Sequence, residues 1–173
     1  MIEGVVIKKL EKFKDERGWL AEIYRNDEID PEADASPGII SKELYWALRR
    51  YGAGYKPAMA YFSESKPGVA RGPHEHKEQT DFFIFIGPGK FRVYLWDNRK
   101  ESATFGEKID FEVGGEEITS VLVPPGVVHG YKCVSEIPAL CLNLPDKLYR
   151  GENKKEGVDE VRYEEDTKSE FKI

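Results

Sequence analysis

Residues 81–86 read Asp-Phe-Phe-Ile-Phe-Ile and are stopped at once by Gly87-Pro88-Gly89. A short, almost continuous apolar run closed by glycine and proline is the pattern of a buried strand. Similar short runs recur over residues 4–10, 59–63, 90–96, 118–123, 130–134 and 139–144, several alternating apolar and polar. Many short strands punctuated by Gly and Pro predict an all-β sandwich or barrel. Residues 42–50 suit one helix or an edge strand, and periodicity does not decide. Residues 26–38 are acidic, hold two prolines and read as a loop. The strongly charged tail over 150–173 predicts short helical or extended pieces. With no internal repeat, the chain reads as one domain over 1–173, with an N-terminal strand extension (1–25) and that tail.

The 173 residues suffice for one sizeable core. A formal net charge of −6 argues against nucleic acid, whose phosphates need a basic stripe. No apolar run approaches the ~20 residues that cross a bilayer, so no membrane partner is expected. The start, Met1-Ile2-Glu3-Gly4, lacks the basic and apolar stretches of a signal peptide, so a cytoplasmic location is expected. Two cysteines, Cys133 and Cys141, are too few for a disulfide framework and are expected as buried thiols.

The chain has three histidines, and two of them, His74 and His76, stand two apart, on one face of a strand. They follow the turn-like Arg71-Gly72-Pro73. The third, His129, ends Pro124-Pro125-Gly126-Val127-Val128-His129, a tight turn that aims a histidine inward. A Gly-x-His-x-His block followed by Pro-x-Gly-x-x-His resembles the cupin signature. Two chemistries use such a set. In one, His74, His76 and His129, with Asp81 as a fourth ligand, bind a divalent transition metal. In the other, one histidine is a general base in a metal-free site for an anionic sugar nucleotide.

The surrounding blocks resemble the dTDP-4-dehydrorhamnose 3,5-epimerase family, which is metal-free and cupin-like. Phe13-x-Asp15-x-Arg17-Gly18-x-Leu20-x-Glu22 is similar to its N-terminal block. Ser63-x-Ser65, Gly68-Val69 and Arg71-Gly72-x-His74 are similar to its histidine block. Asp97-x-Arg99 with 102–106 (SATFG), and Pro124-x-Gly126-x-x-His129-Gly130, complete four blocks in the family's order.

The resemblance implies that His74 removes a proton from the carbon beside the sugar's C4 ketone. It implies that Arg71 holds the diphosphate or the developing negative charge, and that Ser63 and His129 support phosphate or sugar hydroxyls. Arg17 and Glu22 would contact the nucleotide, from a neighbouring subunit if the N-terminal strands pair two copies. Asp97 is either catalytic or a structural partner of Arg99. The family pairs its base with a tail Asp, for which Glu165 is the nearest match. The family's lysine falls on Asp81, and its acid tyrosine falls near 142–144, where no tyrosine stands; Tyr149 is the substitute. The expected fold is therefore a cupin-type double-stranded β-helix (jelly roll) with minor helical segments. The expected protein is a homodimeric epimerase or isomerase of a dTDP-linked 4-keto-6-deoxysugar that requires no cofactor. Two alternatives stand beside it: a metal-dependent cupin enzyme acting on another small carbohydrate or acid, and a non-catalytic sugar-binding cupin.

Overall fold

The run over 81–86 is apolar at nearly every position because its strand is covered on both sides. The structure, a computed structural model, describes residues 1–25 and 55–173, so the readings for 26–38 and 42–50 lie outside the described residues. Two five-stranded antiparallel sheets dominate them. The first has the order β1 (Val6–Leu10), β9 (Ile118–Val123), β6 (Asp81–Ile86), β11 (Ala139–Asn143), β4 (Tyr61–Ser65). The second has the order β12 (Val161–Arg162), β5 (Ala70–Glu75), β10 (Val127–Cys133), β7 (Lys90–Asp97), β8 (Lys108–Gly114). A small hairpin, β2 (Phe13–Asp15) with β3 (Gly18–Leu20), stands apart.

The sheets pack face to face. Phe83, Phe85, Val121 and Val123 of the first meet Phe91, Val93, Leu95, Val127 and Tyr131 of the second in one buried cluster. Successive strand side chains point to opposite faces, so Phe82, Ile84 and Ile86 emerge on the outer side. There they pack with Ile118, Leu142, Leu10, Ala21 and Ile23. Period-two alternation is therefore hidden in β6 and in β9, which is buried along its whole length. It is plain in β8, where Ile109, Phe111 and Val113 alternate with Lys108, Asp110 and Glu112. The hairpin strands are three residues each and below the length at which a pattern shows.

In the tail, a 3-10 turn over Glu152–Lys154 and the two-residue strand β12 are the regular elements. Cys133 and Cys141 are free and buried, as expected. Among the described residues no helix is long and apolar enough to cross a membrane.

Phe85 is fully buried, with ring centroids 5.3 Å from Phe91 and 5.4 Å from Tyr131. Phe85→Ala is expected to cost about 3–5 kcal/mol, measurable in a urea unfolding series as a lower midpoint at unchanged slope.

Candidate active site

A single carboxylate holds two of the three histidines. Asp81, at the start of β6, is buried and reaches from the first sheet to the second. Its Oδ2 lies 3.2 Å from His76 Nε2 and 3.1 Å from His129 Nε2. Its Oδ1 accepts hydrogen bonds from Gln79 Nε2 at 2.9 Å and Asn143 Nδ2 at 2.8 Å. Burial alone would raise the Asp81 carboxyl, but the His129 and His76 nitrogens beside it outweigh that and hold the group well below the usual carboxylate range. Burial likewise works against a charged His76, yet the Asp81 hydrogen bond and charge raise it to about 9.

His74 and His129 pair across β5 and β10, their ring centroids 4.5 Å apart. The register shifts just beyond, between His129 and Tyr131. Gly72 permits this close crossing: it has φ +78°, and a Cβ there would stand 2.7 Å from the His129 carbonyl oxygen. His74 is held neutral, its pKa pushed down to about 2 by burial and by the charges of His129 and His76. Its Nδ1 is buried without a hydrogen bond, and Glu160 Oε1 lies 3.5 Å away. Glu160 immediately precedes β12, which pairs with β5 so that Arg162 stands opposite His74. Arg162 Nη2 holds the other Glu160 oxygen at 2.8 Å. Next to it, the Asp159 carboxylate accepts the backbone N–H groups of Lys77, Glu78 and Gln79 at 2.9–3.0 Å. The Asp159 carbonyl meets His76 Nδ1.

His74 opens onto a cavity of about 580 Å³, whose wall also includes Tyr61, Ser63, Arg71, Tyr149 and Glu160. Arg71 donates to Ser65 Oγ at 3.3 Å and to the Glu64 carbonyl at 3.0 Å. Ser63 and Tyr131 are joined through their hydroxyls at 3.2 Å. His129 lies beneath this wall, buried, with its Nδ1 bonded to the Val127 carbonyl at 2.9 Å.

Other candidates lie elsewhere. Asp97 is a structural anchor: Arg99 Nε, Ser102 Oγ and Thr104 Oγ1 bind it at 2.8, 2.6 and 2.6 Å. It is outside the cavity wall. Glu165 is 70% exposed and pairs with Arg162 at 3.5 Å; Glu160 is the tail carboxylate beside His74. The acidic tail offered many candidates, and only the pairing of β12 with β5 singles out Glu160. Arg17, 84% exposed, is bound to Asp15, and Glu22 pairs with Arg25, so neither lines this chain's own cavity. Tyr61 and Asn143 were not singled out, since neither belongs to a recognisable block.

The expectation that no cofactor is required is corrected by the cluster itself. His74, His76, Asp81 and His129 each offer a ligand atom, and these atoms lie within 4.8 Å of one another. Ligands ~2.1 Å from one first-row ion stand roughly 3.0–3.4 Å apart, which the Asp81–histidine separations match. His129 Nε2 is also buried without a hydrogen bond, although it faces Asp81. With Nδ1 bonded to the Val127 carbonyl, Nε2 is the ring nitrogen that faces Asp81.

Residues 1–159 match the family model described as dTDP-4-dehydrorhamnose 3,5-epimerase. The chain is 33% identical over 149 residues to the spore coat polysaccharide biosynthesis protein SpsL of Bacillus subtilis, covering 86% of this chain and 83% of that protein. It is 31% identical to a protein of Haloferax volcanii named a probable low-salt glycan biosynthesis epimerase, Agl13, covering 86% and 81%. Its fold is shared with the crystal structure of a dTDP sugar isomerase from Desulfovibrio desulfuricans. The TM-score is 0.70 at 23% identity, covering 96% of this chain and 87% of that one.

Asp81→Asn in metal-free protein is expected to cost about 3–5 kcal/mol near pH 6, because it leaves buried histidines without their counter-charge. Asp81 is depressed, so its contribution is present above its ordinary 3.8 and lost in acid. His76 is raised, so its contribution is full below its ordinary 6.5 and fades as pH rises through about 9. The gap between wild type and variant is therefore expected to narrow from pH 6 to pH 10 in urea melts. An unchanged gap would count against the Asp81–His76 pair.

Proposed function

This chain belongs to the dTDP-4-dehydrorhamnose 3,5-epimerase family, and from that premise we propose that it is an isomerase that epimerises a nucleotide-linked 4-keto-6-deoxysugar during polysaccharide precursor synthesis. The observation that carries the reading is His74 on the cavity wall, with Glu160 3.5 Å from its Nδ1. A neutral imidazole can accept the proton beside the C4 ketone, which is acidic because the carbanion delocalises as an enolate. Glu160 orients the ring and stabilises the imidazolium that forms. Arg71 presents a guanidinium to the same space for the diphosphate or the developing anion. Ser63 and Tyr149 line the wall for sugar contacts.

On this reading the two sheets form a cupin-type jelly roll, a single domain over 1–173, working in the cytoplasm as a homodimer. The hairpin supports the dimer, since it exposes Phe13, Trp19 and Leu20 together. Arg17 and Glu22 beside it would then reach the nucleotide in the neighbouring copy's cavity.

The donor cluster supports a second reading, in which His74, His76, Asp81 and His129 hold a divalent transition metal. Such an ion supplies Lewis-acid stabilisation of a substrate oxygen when bound. His74 is then a ligand, and Glu160 becomes the base on that wall.

His74→Asn is expected to lower turnover of a dTDP-4-keto-6-deoxyglucose substrate by ~10²–10⁴-fold at an unchanged melting temperature. A well-folded, fully active variant would remove His74 from the chemistry. Metal analysis of both proteins separates the readings. Wild type carrying an ion that the variant loses makes His74 a ligand, whereas an inactive variant that matches wild type in metal content makes it the base.

A further inference from the structure

Epimerisation needs a proton removed from one face of the sugar and another delivered to the opposite face. The first group stands on the second sheet, where His74 lies on β5 and Glu160 next to β12. The cavity is bounded on its other side by the first sheet, so the donor must come from there. Three tyrosines line the cavity besides the partners already named: Tyr61, Tyr131 and Tyr149.

Tyr131 is on β10, beside β5 and on the same sheet as the base. It is 5% exposed, and its hydroxyl is engaged with Ser63. Tyr149 follows β11 in an irregular segment that belongs to neither sheet. Tyr61 differs from both. It sits on β4, in the facing sheet, opposite Asn143 of β11. Asn143 Nδ2 donates to its hydroxyl oxygen at 2.9 Å and to Asp81 Oδ1 at 2.8 Å. The amide thus links the phenol oxygen to the cluster's buried carboxylate as an acceptor, and the O–H remains available as a donor on a side chain that lines the cavity. Burial raises the phenol to about 12, so it carries its proton at neutral pH.

Resting on the epimerase reading, we infer that Tyr61 is the general acid, delivering a proton to the face of the sugar opposite the His74–Glu160 pair, with Asn143 as its positioning residue. The base breaks the C–H bond beside the ketone, and the electron pair passes into the enolate. As the enolate collapses to the ketone, its carbon takes the proton from the Tyr61 O–H. The phenolate left behind is reprotonated from water, and no oxidant or reductant is consumed.

The test follows a dTDP-4-keto-6-deoxyglucose substrate in D₂O with the full-length protein, reading deuterium exchange and inversion separately. Tyr61→Phe is expected to keep exchange, because the base can return a deuteron to the face it came from, while inversion falls ~10²-fold or more. Tyr61→Phe leaves one N–H of the buried Asn143 without its acceptor, so a modest fall in melting temperature is expected with the protein still folded at the assay temperature. Tyr61→His, which restores a donor on this wall, is expected to recover part of the inversion. Inversion at the wild-type rate in Tyr61→Phe, or loss of inversion in Tyr149→Phe instead, would overturn the assignment. So would an equal loss of exchange and inversion in Tyr61→Phe, since that places Tyr61 with the base. Failure of the epimerase reading looks different: wild type itself then exchanges no deuterium, and the role of Tyr61 falls with it.

Discussion

The buried carboxylate of Asp81 is the constraint around which this site is organised. An ionised carboxylate without partners is excluded from a protein interior by its lost hydration. Here both oxygens are engaged, one by the two histidines of the second sheet and the other by Gln79 and Asn143. The same contacts fix the angle of the His76 and His129 rings and tie β6 to β10 across the sandwich. A charge so costly to bury is poor evidence for extra stability. Its geometric effect is the clearer one, because it gives the His76 and His129 rings defined directions beside His74. That set suits a proton, a cation or a reacting carbon, and the surroundings decide which is served.

Much of the fold was legible in the sequence, and the reasons are particular. Gly87-Pro88-Gly89 ended β6 where expected, and the runs at 90–96, 118–123 and 139–144 fall on β7, β9 and β11. The pairing of His74 with His129 was legible too, because the two motifs aim both rings at one place. What the sequence does not carry is cross-chain proximity. Asp97 looked like a buried site carboxylate because it shares a face with Val93 and Leu95, yet Arg99, Ser102 and Thr104 occupy it completely. Glu165 and Glu160 are equivalent as letters in an acidic tail, and only two residues of strand pairing distinguish them. Tyr61 gains significance only when Asn143 is seen opposite it.

The histidine cluster also shows why absence of a cofactor could not be inferred from family resemblance. Asp81 stands where the resemblance places a lysine. One exchange of charge converts a pair of histidines beside a cation into histidines around an anion. The second arrangement is a set of donors for a metal, and four ligand atoms within 4.8 Å of one another are its geometric expression.

The backbone clamp at Asp159 carries a consequence for how the site is completed. Its carboxylate closes the turn after His76 across 80 to 82 positions of sequence, and Glu160 meets His74 by the same long return. Contacts between such distant segments form late, since a long loop must close before they contribute. The wall beside His74 therefore closes only when residues 159–162 return to β5, and a chain cut before them would keep the other strands of the two sheets and lose the Asp159 clamp and the Glu160 contact together.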